Sequence, residues 1–129
     1  MSAKVRNKPS EIVGGVATGT FTKHYAAVRD ATDPEKFAQA DAINDGEIAG
    51  LFMNSGVAGD IAQVCSGGYF PGKAGDTSAV SGRIAVANAA GKIIGYAAGS
   101  TGVNAVGEIW SDAAAADELV TIRVAPTIR

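Results

Sequence analysis

The sequence predicts an all-β protein, a small sandwich or barrel-like domain with at most short helical turns, led by an extended N-terminal arm. Three observations predict it. Short apolar runs recur between turn-forming clusters at intervals of roughly ten residues. Near the C-terminus Val120, Ile122 and Val124 alternate with Leu119, Thr121 and Arg123, the two-residue period of a strand with one buried face. The one good helix start, Asp33-Pro34-Glu35-Lys36, meets the stop Asn44-Asp45-Gly46 within about three turns.

Residues 1–20, MSAKVRNKPSEIVGGVATGT, mix charge, Pro9 and three glycines without a period, and read as the arm; residues 21–129 read as the β-rich domain. Thr22 to Arg29 is a strand-length run ended by Asp30-Ala31-Thr32-Asp33-Pro34. Between Asp33 and Asp45 helix and strand remain open alternatives. Ile48 to Phe52 is a buried-strand candidate. It is followed by the small-residue loop Asn54 to Asp60 and a returning strand, Ile61 to Cys65. Arg83 to Ala87 and Lys92 to Ala97 flank the turn Asn88-Ala89-Ala90-Gly91, Glu108-Ile109-Trp110 is a further strand, and Asp112 to Asp117 is a helical turn or a loop. Two stretches echo one another, Ile48 to Val64 and Ile93 to Ile122, each an apolar strand with a central glycine, an excursion and a return.

At 129 residues the chain suits one domain. Its 47% hydrophobic content is heavily alanine and only 6% aromatic, with 17 glycines. Small side chains remove little apolar area from water and glycines lose more entropy on ordering, so a monomer should be thinly stabilised and an oligomer is expected. A formal charge of −2 supplies no general field for nucleic acid. Within it, Lys4, Arg6 and Lys8 form a basic first decade, and Asp30, Asp33, Glu35, Asp41, Asp45, Glu47 and Asp60 an acidic stretch. The lone Cys65 cannot form an internal disulfide, and with the lone His24 it leaves no zinc set, so neither metal nor cofactor is expected. No apolar run suits a signal peptide or a membrane span, and a soluble intracellular product is the expectation.

Gly67-Gly68-Tyr69-Phe70-Pro71-Gly72-Lys73-Ala74 comes within one residue of the nucleotide-binding G-x-x-x-x-G-K-[ST]. Ala74 replaces the magnesium-binding hydroxyl, and Gly75 and Gly82 spoil the helix that must follow, so the stretch reads as a turn-rich loop. No nucleophile elbow is present, and Cys65, at a strand end, reads as an inert packed thiol. Asp41, Asn44, Asp45 and Glu47 lack EF-hand spacing. No catalytic residues are therefore expected. Tyr69, Phe70 and Trp110 are candidate core or interface anchors, with the sole tryptophan expected to fill the middle of the barrel. Were they exposed, they would make the platform of a small-ligand or carbohydrate-binding barrel, such as a head-fibre or lectin-like module.

In order along the chain stand Ala40-Asp41-Ala42-Ile43-Asn44-Asp45, Gly50-Leu51, Ala58-Gly59-Asp60, Ala89-Ala90-Gly91-Lys92, Ile94-Gly95-Tyr96-Ala97 and Ala115-Ala116-Asp117-Glu118-Leu119-Val120-Thr121-Ile122. This ordered set, across residues 22 to 126, resembles the capsid cement, or head decoration, proteins of tailed bacteriophages. Phe37-Ala38-Gln39, the segment Thr101 to Glu108 and the longer arm depart from that pattern. The resemblance implies a trimer made in the host bacterial cytoplasm and carried on the outer surface of the virion capsid, without membrane or direct nucleic-acid contact. There it would bind the major capsid protein and brace the shell against internal DNA pressure. The arm, through Val5, Arg6, Lys8, Ile12 and Val13, is the expected capsid contact, by strand addition to a capsid subunit.

Overall fold

The computed structural model describes residues 6–44 and 46–128. Its nine strands are β1 (Lys8–Ala17), β2 (Ala26–Arg29), β3 (Lys36–Gln39), β4 (Ile48–Phe52), β5 (Ile61–Lys73), β6 (Ile84–Ala87), β7 (Ile93–Tyr96), β8 (Asn104–Ile109) and β9 (Leu119–Ile128). No helix forms among the described residues, so the all-β expectation holds. The strands pair in the order β1-β3-β2-β4-β5-β9-β8-β6-β7, and β1 pairs with β5 as well. That extra pairing closes β1, β3, β2, β4 and β5 into a ring. The other strands also curl back: Ala74, just past β5, bridges Ile93 of β7 in parallel, and Gly75 N–H donates to the Ile93 carbonyl over 2.7 Å. Two rings thus share β5, and closure satisfies backbone groups that an open sheet leaves on its edges.

Sharing is possible because β5 runs for 13 residues. One edge pairs with β1 from Val16↔Ile61 to Lys8↔Tyr69. The other serves β4 at Cys65 and Val64, then β9 from Gly68 to Lys73. The first ring encloses Ala17, Phe21, Ala27, Phe37, Ala49, Phe52, Ala62 and Val64. The second is lined by residues that include Phe70, Ile93, Val106, Ile109, Val120, Ile122 and Val124, and Ile48 and Leu51 of β4 pack against it from the first ring.

Strands between two apolar layers are buried on both faces, which explains both the unbroken apolar runs and the alanines. In β2, Ala26 joins one core and Ala27 the other. In β6, Ala85 and Ala87 face the second ring while Ile84 and Val86 pack outward with Val103 and Ala105. All four phenylalanines are 2% exposed or less. The accessible surface is 6205 Å², close to the ~6300 Å² expected of a compact monomer of this mass. Alanine here fills thin spaces between strands.

Several element assignments change. The strand expected over Thr22 to Arg29 begins only at Ala26, after a turn in which His24 has φ 76°. Asp33 does not cap a helix. Asp30 Oδ1 accepts the Thr32 and Asp33 N–H groups at 2.9 and 3.0 Å, making a turn that delivers the chain into β3. Asp112 to Asp117 is a loop held by Glu118, whose Oε1 accepts the Ala114 N–H at 2.6 Å. The turn-rich loop read from Gly67 to Gly75 is instead the second half of β5. Its Gly68, at φ 85°, passes under the N-terminal segment so closely that a Cβ would lie 2.4 Å from Ser10 N. The echo between Ile48–Val64 and Ile93–Ile122 is not structural either. β4 lies beside β5, whereas β8 and β6 separate β7 from β9.

Of the expected arm, residues 8–17 are extended, and their partners are β5 and β3 of the same chain. Val13 turns toward the first core, while Ile12 and Val16 face solvent, Val16 opposite Ile61.

Candidate functional site

Directly opposed residues of an antiparallel pair carry their side chains on one face. Lys8 opposes Tyr69, Tyr69 opposes Arg123, and Arg123 opposes Glu108. Four strands therefore set these side chains in one row across the outside of the sheet. The neighbouring Phe70 and Ile122 point inward. Arg123 Nη2 lies 3.0 Å from Glu108 Oε1 across the row.

Trp110 follows β8 in phase with Glu108, so it also points outward and is 43% exposed. This corrects its expected place in the barrel centre: Ile109 occupies the inward position, and a strand cannot turn adjacent side chains to the same face. The indole meets Tyr69 edge to face, with ring centroids 5.0 Å apart and planes at 68°. Above them the Arg6 guanidinium carbon lies 5.5 Å from the Tyr69 centroid and 5.9 Å from that of Trp110.

Thr121, only 2% exposed, fixes this arrangement. Its carbonyl accepts the Trp110 N–H at 2.8 Å, its Oγ1 accepts the Arg6 N–H at 2.8 Å, and its own N–H donates to Ser111 Oγ at 2.8 Å. One buried residue thereby sets the backbone of both the tryptophan and the arginine. The patch gathers three cations, Arg6, Lys8 and Arg123, around one anion, Glu108, on a chain of formal charge −2. Trp110 Nε1, Tyr69 Oη and Lys8 Nζ have no protein hydrogen-bond partner among the described residues.

The remaining chemical groups are occupied by structure. His24 stacks on Phe70 at 5.3 Å, and its Nδ1–H donates to the Pro71 carbonyl at 2.8 Å, a geometry that requires that tautomer. Burial holds its pKa below the ordinary 6.5. Cys65 is wholly buried and donates to the Gly67 carbonyl at 3.0 Å; burial pushes its thiol up, which suppresses the reactive thiolate. Asn44 braces two loops, its Nδ2 donating to the Gly102 carbonyl at 2.9 Å and its Oδ1 accepting the Asn104 N–H at 2.6 Å. Asp45 lies outside the described residues, and among those described no three His, Cys, Asp or Glu side chains are grouped to hold a metal.

Of the residues singled out from sequence, the structure brings together Arg6, Lys8, Tyr69 and Trp110. Phe70 is a core residue at 2% exposure, Ile12 is 52% exposed on β1, Val13 is half-buried, and Val5 lies outside the described residues. Glu108, Thr121 and Arg123 were not anticipated as site residues. The signal for Trp110 was available, because Glu108 two positions earlier marks that face as the wet one.

No family model and no curated protein matches this chain. Among solved structures it is similar to the head fiber gp8.5 N base in bacteriophage phi29, with a TM-score of 0.67 and 15% sequence identity. The likeness covers 92% of this chain and 98% of that one, so the two share a fold over nearly their whole lengths.

Proposed function

We propose that this chain is a non-enzymatic structural protein of a tailed-phage head, a decoration or fibre-base module seated on the outer surface of the capsid. The observation that carries the reading is the full-length fold likeness to a phage head fiber base. The ordered motifs that resemble capsid cement proteins point the same way from sequence. The chemistry is consistent with it, since His24, Cys65 and Asn44 are held in packing and bracing contacts.

In this reading the chain acts as a trimer at threefold or quasi-threefold positions of the shell, contacts the major capsid protein and resists internal DNA pressure. Ile12, Val16 and Ile61, exposed at 52, 38 and 60%, form an aliphatic strip along β1 and β5 suited to those protein contacts. Many weak contacts on one lattice would together hold each copy firmly.

Sedimentation for oligomer mass, followed by cosedimentation with expanded, unexpanded and empty shells of the phage carrying the sequence, tests the reading. A trimer that pellets with expanded shells is expected. A monomer that remains in the supernatant with every shell would overturn it.

A further inference from the structure

We infer that the Arg6–Tyr69–Trp110 patch is a binding site for an acidic saccharide, a sugar chain that carries carboxylates. The site goes beyond attachment to a shell, and its residues are distinct from Ile12, Val16 and Ile61 of the aliphatic strip, so each can be altered without the other. Three features select this class of ligand.

First, the platform is aromatic and outward-facing. The apolar C–H face of a sugar ring packs on an exposed indole, and Trp110 remains 43% exposed even with Tyr69 and Arg6 against it. Second, the rim is polar and rich in donors. Trp110 Nε1, Tyr69 Oη and Lys8 Nζ lack protein partners among the described residues, and the Arg123–Glu108 pair adds a donor and an acceptor for ring hydroxyls. Third, Arg6, Lys8 and Arg123 outnumber Glu108, which suits a carboxylate, and a guanidinium offers it two parallel N–H groups. A neutral saccharide would leave that excess charge unanswered.

The platform is also preorganised. Thr121 bonds to both Trp110 and Arg6, so a ligand meets backbones that are already fixed and loses less binding energy to ordering. Leu119, exposed at 40% on the same face of β9, extends the apolar surface by one residue.

Trp110 is the only tryptophan in the chain, so its fluorescence reports on this site alone. The test titrates the full chain at low salt with oligogalacturonate, with neutral maltotriose and with oligoglutamate, following that fluorescence and, in parallel, heat by calorimetry. Saturable binding of oligogalacturonate is expected, with maltotriose at least about tenfold weaker. Tyr69→Ala and Arg6→Ala should each weaken oligogalacturonate binding about tenfold, and Arg6→Ala should leave maltotriose unchanged. An Ile61→Ser variant, altered on the aliphatic strip, should bind oligogalacturonate as the parent does. No fluorescence or heat change with any saccharide would overturn the inference, as would affinity unchanged in Tyr69→Ala and Arg6→Ala. Equal response to oligoglutamate would overturn the saccharide assignment in favour of an acidic protein segment. Shell cosedimentation unaffected by saturating oligogalacturonate would show the two activities to be separate, so either can fail alone.

Discussion

Replacing Gly50 by alanine tests the two-ring architecture at its tightest point. Gly50 lies in the middle of β4 at φ 149°, where a Cβ would sit 1.9 Å from the Cys65 carbonyl oxygen and 2.9 Å from its carbon. Both obstructing atoms are backbone of β5, so no side-chain rotation relieves the clash. Separating the strands by more than an ångström would strain the ladder at Leu51↔Cys65 and Phe52↔Val64, the register that joins β4 to β5. Backbone strain of about 1–3 kcal/mol and one or two weakened hydrogen bonds of about 1 kcal/mol each together give a loss of about 2–5 kcal/mol. A domain holds only about 5–15 kcal/mol in total. Gly107 in β8 is the counterpart beside the second ring, with a Cβ position 1.9 Å from the Arg123 carbonyl oxygen, and Gly107→Ala should cost a similar amount. Gly19 is the control: nothing lies within 4 Å of its Cβ position and its φ is outside the left-handed region, so Gly19→Ala should be neutral or slightly stabilising. Urea unfolding read by circular dichroism supplies all three values. Gly50→Ala within about 0.5 kcal/mol of the parent would refute the close approach of β4 to β5.

Other outcomes follow from the same structure. Because His24 is held neutral by burial, the unfolded chain binds its proton more readily, and stability that is complete above pH 6.5 should fall as the pH drops through that value. Melting temperature against pH checks this, and His24→Asn, which tolerates the positive φ, should flatten the acid limb. Phe52→Ala removes a fully buried ring 4.9 Å from that of Phe21 and should cost about 3–5 kcal/mol in urea unfolding. Cys65 should resist a thiol reagent in the native protein and react fully in denaturant, as absorbance of the released chromophore would show. Deleting residues 2–15 removes the β5 partners from Lys8 to Gly15, so a large loss of melting temperature is expected.

The all-β class and the C-terminal alternation were legible because they depend on local pattern. Val120, Ile122 and Val124 point into the second core, and Leu119 and Arg123 point out, as the period of two requires. Thr121 shows where pattern fails: it faces outward with its neighbours yet is 2% exposed, with Arg6, Trp110 and Ser111, all outside the strands, hydrogen-bonded around it. The second half of β5 was illegible for a related reason. Its glycines serve a crossing strand about sixty residues away in sequence, and a local reading takes glycine for a turn. The candidate site was legible in part. Arg6 and Lys8 were noticed as part of the arm and Tyr69 and Trp110 as candidate anchors, but only the registers of β1, β5, β9 and β8 bring the two groups together. Composition could not show that many alanines sit between two cores, where the spacing between strands is thin.

Quantitative mass spectrometry of purified, DNA-filled virions of the phage carrying this sequence tests the central claim most directly. The account predicts many copies per head, in a number divisible by three, that are shed when the outer surface is treated with denaturant too mild to open the shell. Virions that lack the chain, or that carry it only inside the head, would contradict it.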